Sequence, residues 1–399
     1  MPSSGEVATN PTHDAKYYFD DGSVIFLVED VLFKTPIKVH TSRLVSASQV
    51  FRDMFQLPKA AGEGSPPQPE GSSDNNPIGI PQIKASAFRH LLLFLYGLIT
   101  DPIYQALVAE VVDDKQRTVT AFKSYLDISS LAHRFCMPAT EKWALKQLWR
   151  VLASPTRLAE LKWDPVELLD GLSHAKVLDD SEMECEVRNL IGCHLQVPQT
   201  RNSPRGRFVL VSSWGPKTQV AINSNMISLY KNHNLKVVDP ALFGHVFCSV
   251  LSEGYKSSTW ADLAVEDRSK LLAAQVYLTP LPLASLHLNW AKKPVEIFIT
   301  IKPEARAACF STCSDQFVDI IFPIVFDALY LERLQANTPL TGTLALRELP
   351  KRRRDLLQQI NQNLSGCGKD CGKLIIHALD HNIDLVFEEL CRSYHDKIR

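Results

Sequence analysis

Two cysteine pairs, Cys309–Cys313 and Cys367–Cys371, each with three residues between its members, are the side chains best spaced for chemistry in this sequence. Zinc takes soft thiolates in a tetrahedral array, and two such pairs supply four of them. The same i, i+4 spacing also places both sulfurs of a pair on one helix face, where thiols pack as small apolar groups. The interval between the pairs is far longer than in a compact zinc module, so packing is the preferred reading and no cofactor is expected. Gly366, Gly368 and Gly372 around the second pair would allow tight turns about a metal. Cys391 and His395 repeat the spacing near the C-terminus; one buried thiol and one exposed imidazole account for them.

Lys351, Arg352, Arg353 and Arg354 form the densest basic run. Such a run suits an import signal or a phosphate contact. It also opens an amphipathic pattern in which Leu356, Leu357, Ile360 and Leu364 face a core, leaving the cations to solvent. Cations at a helix N-terminus oppose the macrodipole, which favours a partner for them. The sequence contains no G-x-S-x-G elbow, phosphate-binding G-x-x-x-x-G-K-[ST] loop, H-E-x-x-H or G-x-G-x-x-G. No catalytic residue is assigned, and the chain is not read as an enzyme. His133, His174 and His377 fall in helical stretches and are read as structural. His40 closes an apolar run, where its imidazole is expected to bond backbone groups and fix a strand-to-helix corner.

Composition sets the outer bounds. The 399 residues suffice for two or three domains, and a net charge of −1 gives no electrostatic reason to expect nucleic acid or an anionic membrane. The strongest apolar run, Leu91 to Ile99, falls far short of the ~18 residues a membrane-spanning helix needs. The first residues lack the basic and apolar regions of a secretory signal. Nine cysteines in a chain of this length are too sparse for a disulfide scaffold. The expectation is an intracellular chain, cytoplasmic or nuclear, with no membrane and with other proteins as partners.

The chemistry-bearing residues need elements to hold them, and the N-terminal third is the best patterned. Residues 1–16 read as a disordered tail. Asp20-Asp21-Gly22 makes a turn before the apolar run Val24 to Val28, and Phe33 to Val39 follows as a second strand. Thr41 or Ser42 is expected to cap a helix carrying Leu44 and Val45, and Ser48 to cap the next, where Phe51, Met54 and Phe55 share a face. Residues 57–77, rich in Gly, Ser and Pro, read as a surface insertion. Ile78 to Ile83 reads as a strand. Phe88, Leu91, Leu92, Leu95 and Tyr96 then mark a helix that Gly97 stops. A charged connection over 103–120 leads to a helix carrying Phe122, Tyr125, Leu126, Ile128, Leu131 and Phe135. Pro138 breaks it before a helix carrying Trp143, Ala144, Leu148, Val151 and Leu152.

Further on, 153–196 reads as a helical extension in which Asp164 caps and Pro165 takes the first helical position. Residues 197–207 read as a linker and 208–399 as a mainly helical domain. Two strand candidates stand within that domain, Phe208 to Val211 and Val295 to Ile301.

This order carries a set of familiar residues: Asp21-Gly22-Ser23-Val24, Val39-His40, Leu44 with Ser48, Phe51 to Phe55, and Phe88 to Gly97. Over residues 17–152 the chain resembles a BTB/POZ domain of the type expanded in fungi. The resemblance implies an α+β module, a small sheet flanked by helices, followed here by a mainly helical C-terminal region. It implies a protein-interaction scaffold or adaptor able to self-associate as a homodimer. Cullin-type ubiquitin-ligase adaptors and transcription or chromatin regulators are the alternatives within that family. Asp21, His40, Leu44, Phe51, Met54, Phe55 and Tyr96 would be its core or interaction positions. Cullin adaptors carry a hydrophobic-x-Glu motif where this chain has Phe55-Gln56-Leu57. The family's charged pocket pairs the early Asp with a basic residue after the strand-two His. Here Thr41 follows His40, and the pair is lost unless Arg43 reaches in.

Overall fold

The five apolar residues Val24 to Val28 leave no polar face, as suits a strand covered on both sides. A computed structural model of the protein describes residues 12–29, 34–57, 70–108, 119–152, 164–194, 216–305, 310–364 and 369–396. Across these residues the chain is mostly helical, with a small mixed sheet near the N-terminus. It divides into two compact units, Met1–Lys162 and Trp163–Arg399.

In the first unit β1 (Val24–Glu29) is the central strand. It pairs antiparallel with β2 (Lys34–Val39), Phe26 opposite Ile37, and parallel with β3 (Ile78–Pro81), Phe26 opposite Ile78. Between β2 and β3 lie α1 (Thr41–Ala47) and α2 (Gln49–Gln56). After β3 come α3 (Ala85–Tyr96), α4 (Pro102–Val108), α5 (Val119–Arg134) and α6 (Pro138–Leu152). Phe26 is fully buried, with the rings of Phe51 and Phe88 at 5.7 and 6.0 Å, edge-on. Aromatic pairs at this separation add to the burial of their area. The core of the unit thus joins sheet, α2 and α3 at one point.

Ser48 caps α2 as its type and place predict: its Oγ accepts from Phe51 N–H and donates to the Phe135 carbonyl at 2.6 Å. The start of α1 differs. Neither Thr41 nor Ser42 is the cap residue; helix residues begin at Thr41, and Ser23 Oγ accepts the Thr41 N–H at 2.8 Å. A hydroxyl just before β1, across the open end of the hairpin, serves the orphan donor equally well. Gly97 follows α3, but its φ of −56° is not left-handed. Its reason is space: a Cβ there would lie 1.8 Å from the Tyr104 ring. The connection expected over 103–120 contains α4, and 109–118 lie outside the described residues.

Two segments read as unstructured are held by backbone bonds. Within the expected tail, Asp14 N–H donates to the Pro36 carbonyl, and just after it the Tyr17 carbonyl accepts the Lys38 N–H. Asp14 is 4% exposed. Burial pushes its carboxyl up, but the N–H groups of Tyr17 and Lys16 and the Arg89 guanidinium outweigh that and hold it below its ordinary value. In the expected insertion, residues 58–69 lie outside the described part, but Gly71 is buried against β1 and its carbonyl accepts the Ile25 N–H at 2.8 Å. Gly71 has φ +78°, a conformation open to glycine. Composition missed both because the attachment runs through main-chain groups, which every residue type carries.

The second unit starts with α7 (Pro165–Val177) and α8 (Ser181–His194), which pack on each other, and α7 also packs on later helices of that unit. The division therefore falls inside the expected extension 153–196, ahead of its described helices, and the expected linker 197–207 lies outside the described residues. Asp164 accepts from Val166 N–H at 2.8 Å, with Pro165 at the first helical position as expected. Next come α9 (Pro216–Lys231), α10 (His233–Val238), α11 (Pro240–Glu253), α12 (Ser258–Ala261), α13 (Val265–Tyr277) and α14 (Asn289–Lys292). The series ends with α15 (Phe310–Gln316), α16 (Phe322–Val325), α17 (Ala328–Leu334), α18 (Thr341–Arg347), α19 (Leu349–Asn363) and α20 (Lys369–Asp396).

Helix α11 is buried on all sides from Ala241 to Ser252, and α20 is its main neighbour. Gly244 permits the approach: a Cβ there would meet the Phe387 carbonyl oxygen at 1.8 Å. Arg188 of α8 reaches Asp239, the cap of α11, with Nη2 donating to Oδ1 at 2.8 Å and Nε 2.7 Å from Oδ2.

The strand expected at Val295 to Ile301 is instead a 3₁₀ helix, Pro294–Thr300. Consecutive Ile297 and Phe298 are buried while Val295 and Ile299 are exposed, so burial does not alternate. Pro294 supplies a helical φ at the first position, and the apparent period of two had no partner strand to satisfy. The other strand candidate, Phe208 to Val211, lies outside the described residues.

Candidate interaction surface of the first unit

The end of β2 delivers His40 to a corner beside the turn Asp20–Gly22 and the end of α3. Tyr96 is the last residue of α3, and its hydroxyl accepts the His40 backbone N–H at 2.7 Å. The same hydroxyl lies 3.2 Å from His40 Nδ1, and His40 Nε2 lies 3.3 Å from the Asp21 carboxylate. A neutral imidazole protonated on Nε2 satisfies all three groups at once: Nε2–H donates to Asp21, and Nδ1 accepts from Tyr96. The imidazole therefore bonds side chains, and the backbone bond at this corner belongs to the His40 N–H.

The Phe19 ring lies 5.3 Å from both the His40 and Tyr96 rings, stacked on Tyr96. The Arg43 guanidinium carbon sits 5.8 Å from the Tyr96 ring centre. Arg43 does reach this corner, but it meets the aromatic face, while Asp21 pairs with His40. The hydrogen bond from His40 holds the Asp21 carboxyl below its ordinary value. Burial pushes the Tyr96 hydroxyl up.

Chemically, the corner is a half-exposed aromatic pair bracketed by one carboxylate and one guanidinium. Its polar atoms bond one another, which fixes their positions without filling the surface around them. That mix of aromatic, Arg and acidic groups suits the recognition of another protein surface. Of the other expected positions, Leu44 and Phe51 are buried in the core, and Met54 and Phe55 are half-buried. Phe19 was not singled out from sequence as a contributor, whereas Arg43 was named as the one basic residue that could reach in. Arg43 is one helical turn after His40, and that spacing was the available signal.

No family model matches the chain, and neither a curated protein nor a solved structure does. The arrangement therefore stands on its own geometry.

The basic run does not face solvent as a whole. Arg353 is 4% exposed, and its Nε and Nη2 donate to the two Asp380 oxygens at 2.7 and 2.8 Å. Arg352 lies 3.5 Å from Asp327 and over the Tyr330 ring, and Arg354 lies 3.6 Å from Asp355. Lys351 is exposed. Helical spacing explains Arg353, which lies three residues before Leu356 and seven before Ile360, on the buried face.

Cys313 and Cys371 are both buried, whereas Cys309 and Cys367 lie outside the described residues. Among the described residues no group of three or more His, Cys, Asp or Glu is placed to hold a metal ion. Cys391 is buried as expected. No helix among the described residues is long and apolar enough to cross a membrane.

Proposed function

We propose that this chain is a protein-interaction scaffold or adaptor, and that its first unit acts as a BTB/POZ-like module over residues 17–152. What carries the reading is the order of the mixed sheet: an antiparallel hairpin, a helix pair, then a parallel third strand and α3. The Asp21–His40–Tyr96 corner supports it, because it rigidly displays charged and aromatic groups at the surface. Apolar burial between chains would supply affinity, and the charged rim would supply choice of partner.

A cullin-adaptor role finds less support, since Phe55-Gln56-Leu57 occupies the place of the adaptor motif. A nucleic-acid role finds little in the basic run, where Arg352, Arg353 and Arg354 already face carboxylates.

Light scattering on the full chain and on residues 1–162, over a range of concentrations, tests the proposal. Self-association in both samples, weakened by the double change Asp21→Lys and Arg43→Glu, is the expected result. A monomer in both that also captures no partner in a pull-down removes it.

A further inference from the structure

Helix α10 sets Lys236 against two buried aromatic rings of other helices. Its Nζ lies 4.8 Å from the centre of the Phe243 ring on α11 and 4.3 Å from that of the Tyr394 ring on α20. Lys270 of α13 brings a second ammonium to the same ring, its Nζ 5.7 Å from the Tyr394 centre. The two rings are held edge-to-face with centres 5.3 Å apart, and the Tyr394 hydroxyl lies 3.5 Å from that of Tyr230 on α9. The three rings are buried, while both lysines are half-buried and so within reach of solvent. Among the described residues neither lysine has a carboxylate within ion-pair distance. Asp267, one turn before Lys270, acts on Lys236 only through its field. The Cys391 thiol, one turn before Tyr394, is pushed up to about 11 by burial and stays neutral. Ring faces attract an ammonium. Against that attraction stand burial and then the second ammonium, which lower the Lys236 pKa and favour its free amine.

We propose that Lys236 is a site of covalent acylation by small acyl phosphates, with the Lys270 ammonium drawing in the anionic donor. The free Lys236 amine attacks the acyl carbon. A C–N bond forms, the C–O bond to phosphate breaks, and the leaving phosphate takes the bonding electron pair and the amine's proton. The products are an amide and inorganic phosphate, with nothing oxidised or reduced. Lys270 favours the step twice: it attracts the anionic donor, and it opposes the positive charge on Lys236. The amide has lost the charge that held Lys236 over the two rings, so acylation releases the tie from α10 to α11 and α20.

The full chain is incubated with acetyl phosphate at neutral pH, and acetylation of each lysine is followed by peptide mapping. Lys236 is expected to be acetylated several-fold faster than the exposed Lys351, and Lys236→Arg to remove that fast phase alone. Lys270→Gln slows the reaction at Lys236 several-fold, whereas Lys270→Arg, which keeps the charge, does not. With acetic anhydride, an uncharged donor, Lys270→Gln has a smaller effect, because only the repulsion within the protein remains. Equal rates at Lys236 and Lys351, a Lys236 rate indifferent to Lys270→Gln, or acetyl groups on Cys391 in place of Lys236 would each overturn the proposal.

Discussion

Arg353 lays its guanidinium edge-on against Asp380, Nε to Oδ1 and Nη2 to Oδ2, and so ties the start of α19 to the middle of α20. The fork matches the carboxylate in a way an ammonium cannot. Truncating one partner leaves the other charge poorly solvated. Arg353→Ala is expected to cost about 3–5 kcal/mol in urea unfolding, while Lys351→Ala stays within about 0.5 kcal/mol. Equal effects of the two changes would show that the run behaves as uniform surface charge.

Removing the Tyr96 hydroxyl deprives the His40 N–H of its acceptor while keeping the ring on Phe19. Tyr96→Phe is expected to destabilise the first unit by about 1 kcal/mol, seen as a lower unfolding midpoint with an unchanged denaturant slope. An unchanged midpoint would mean that water replaces the hydroxyl without loss.

His245 stands on buried α11, where neither ring nitrogen has a well-formed hydrogen bond, although one lies near the Arg347 backbone. Burial, and then the Arg347 charge, push its pKa down from 6.5 to about 4. The unfolded chain therefore binds a proton that the folded chain refuses between these values. Stability rises with pH across that window and is lost as pH falls from about 6.5 towards 4, by about 3 kcal/mol in all. His245→Leu is expected to flatten this part of the pH–stability curve. If the wild-type and variant curves run parallel, another group is responsible.

Gly244 touches the Phe387 carbonyl so closely that any side chain would force α11 and α20 apart. Gly244→Ala is expected to cost at least about 2 kcal/mol. Gly79→Ala on β3 provides the contrast, because a Cβ there meets nothing within 4 Å. Thermal melts of the two variants separate these cases, and similar melting temperatures would count against the close helix contact.

What the amino-acid sequence alone determined is what local physics decides. The unbroken apolar run Val24 to Val28 marked a strand. Phe88, Leu91 and Leu92 marked the buried face of α3, and Leu356 and Ile360 that of α19. Ser48 and the pair Asp164-Pro165 marked helix starts, because a cap needs only a side-chain oxygen within two or three residues of its donor. The 3₁₀ helix at Pro294–Thr300 shows the limit: an alternating pattern proposes a strand, but only a neighbouring strand can make one.

The tertiary structure alone decided which distant groups meet. Periodicity says that a face is buried but not what lies against it. Asp380 therefore determines that Arg353 is a structural cation, and Tyr96 that His40 holds a corner. Each of these pairings joins residues tens of positions apart, where the energy of an interaction depends on three-dimensional proximity and on the loss of water around it.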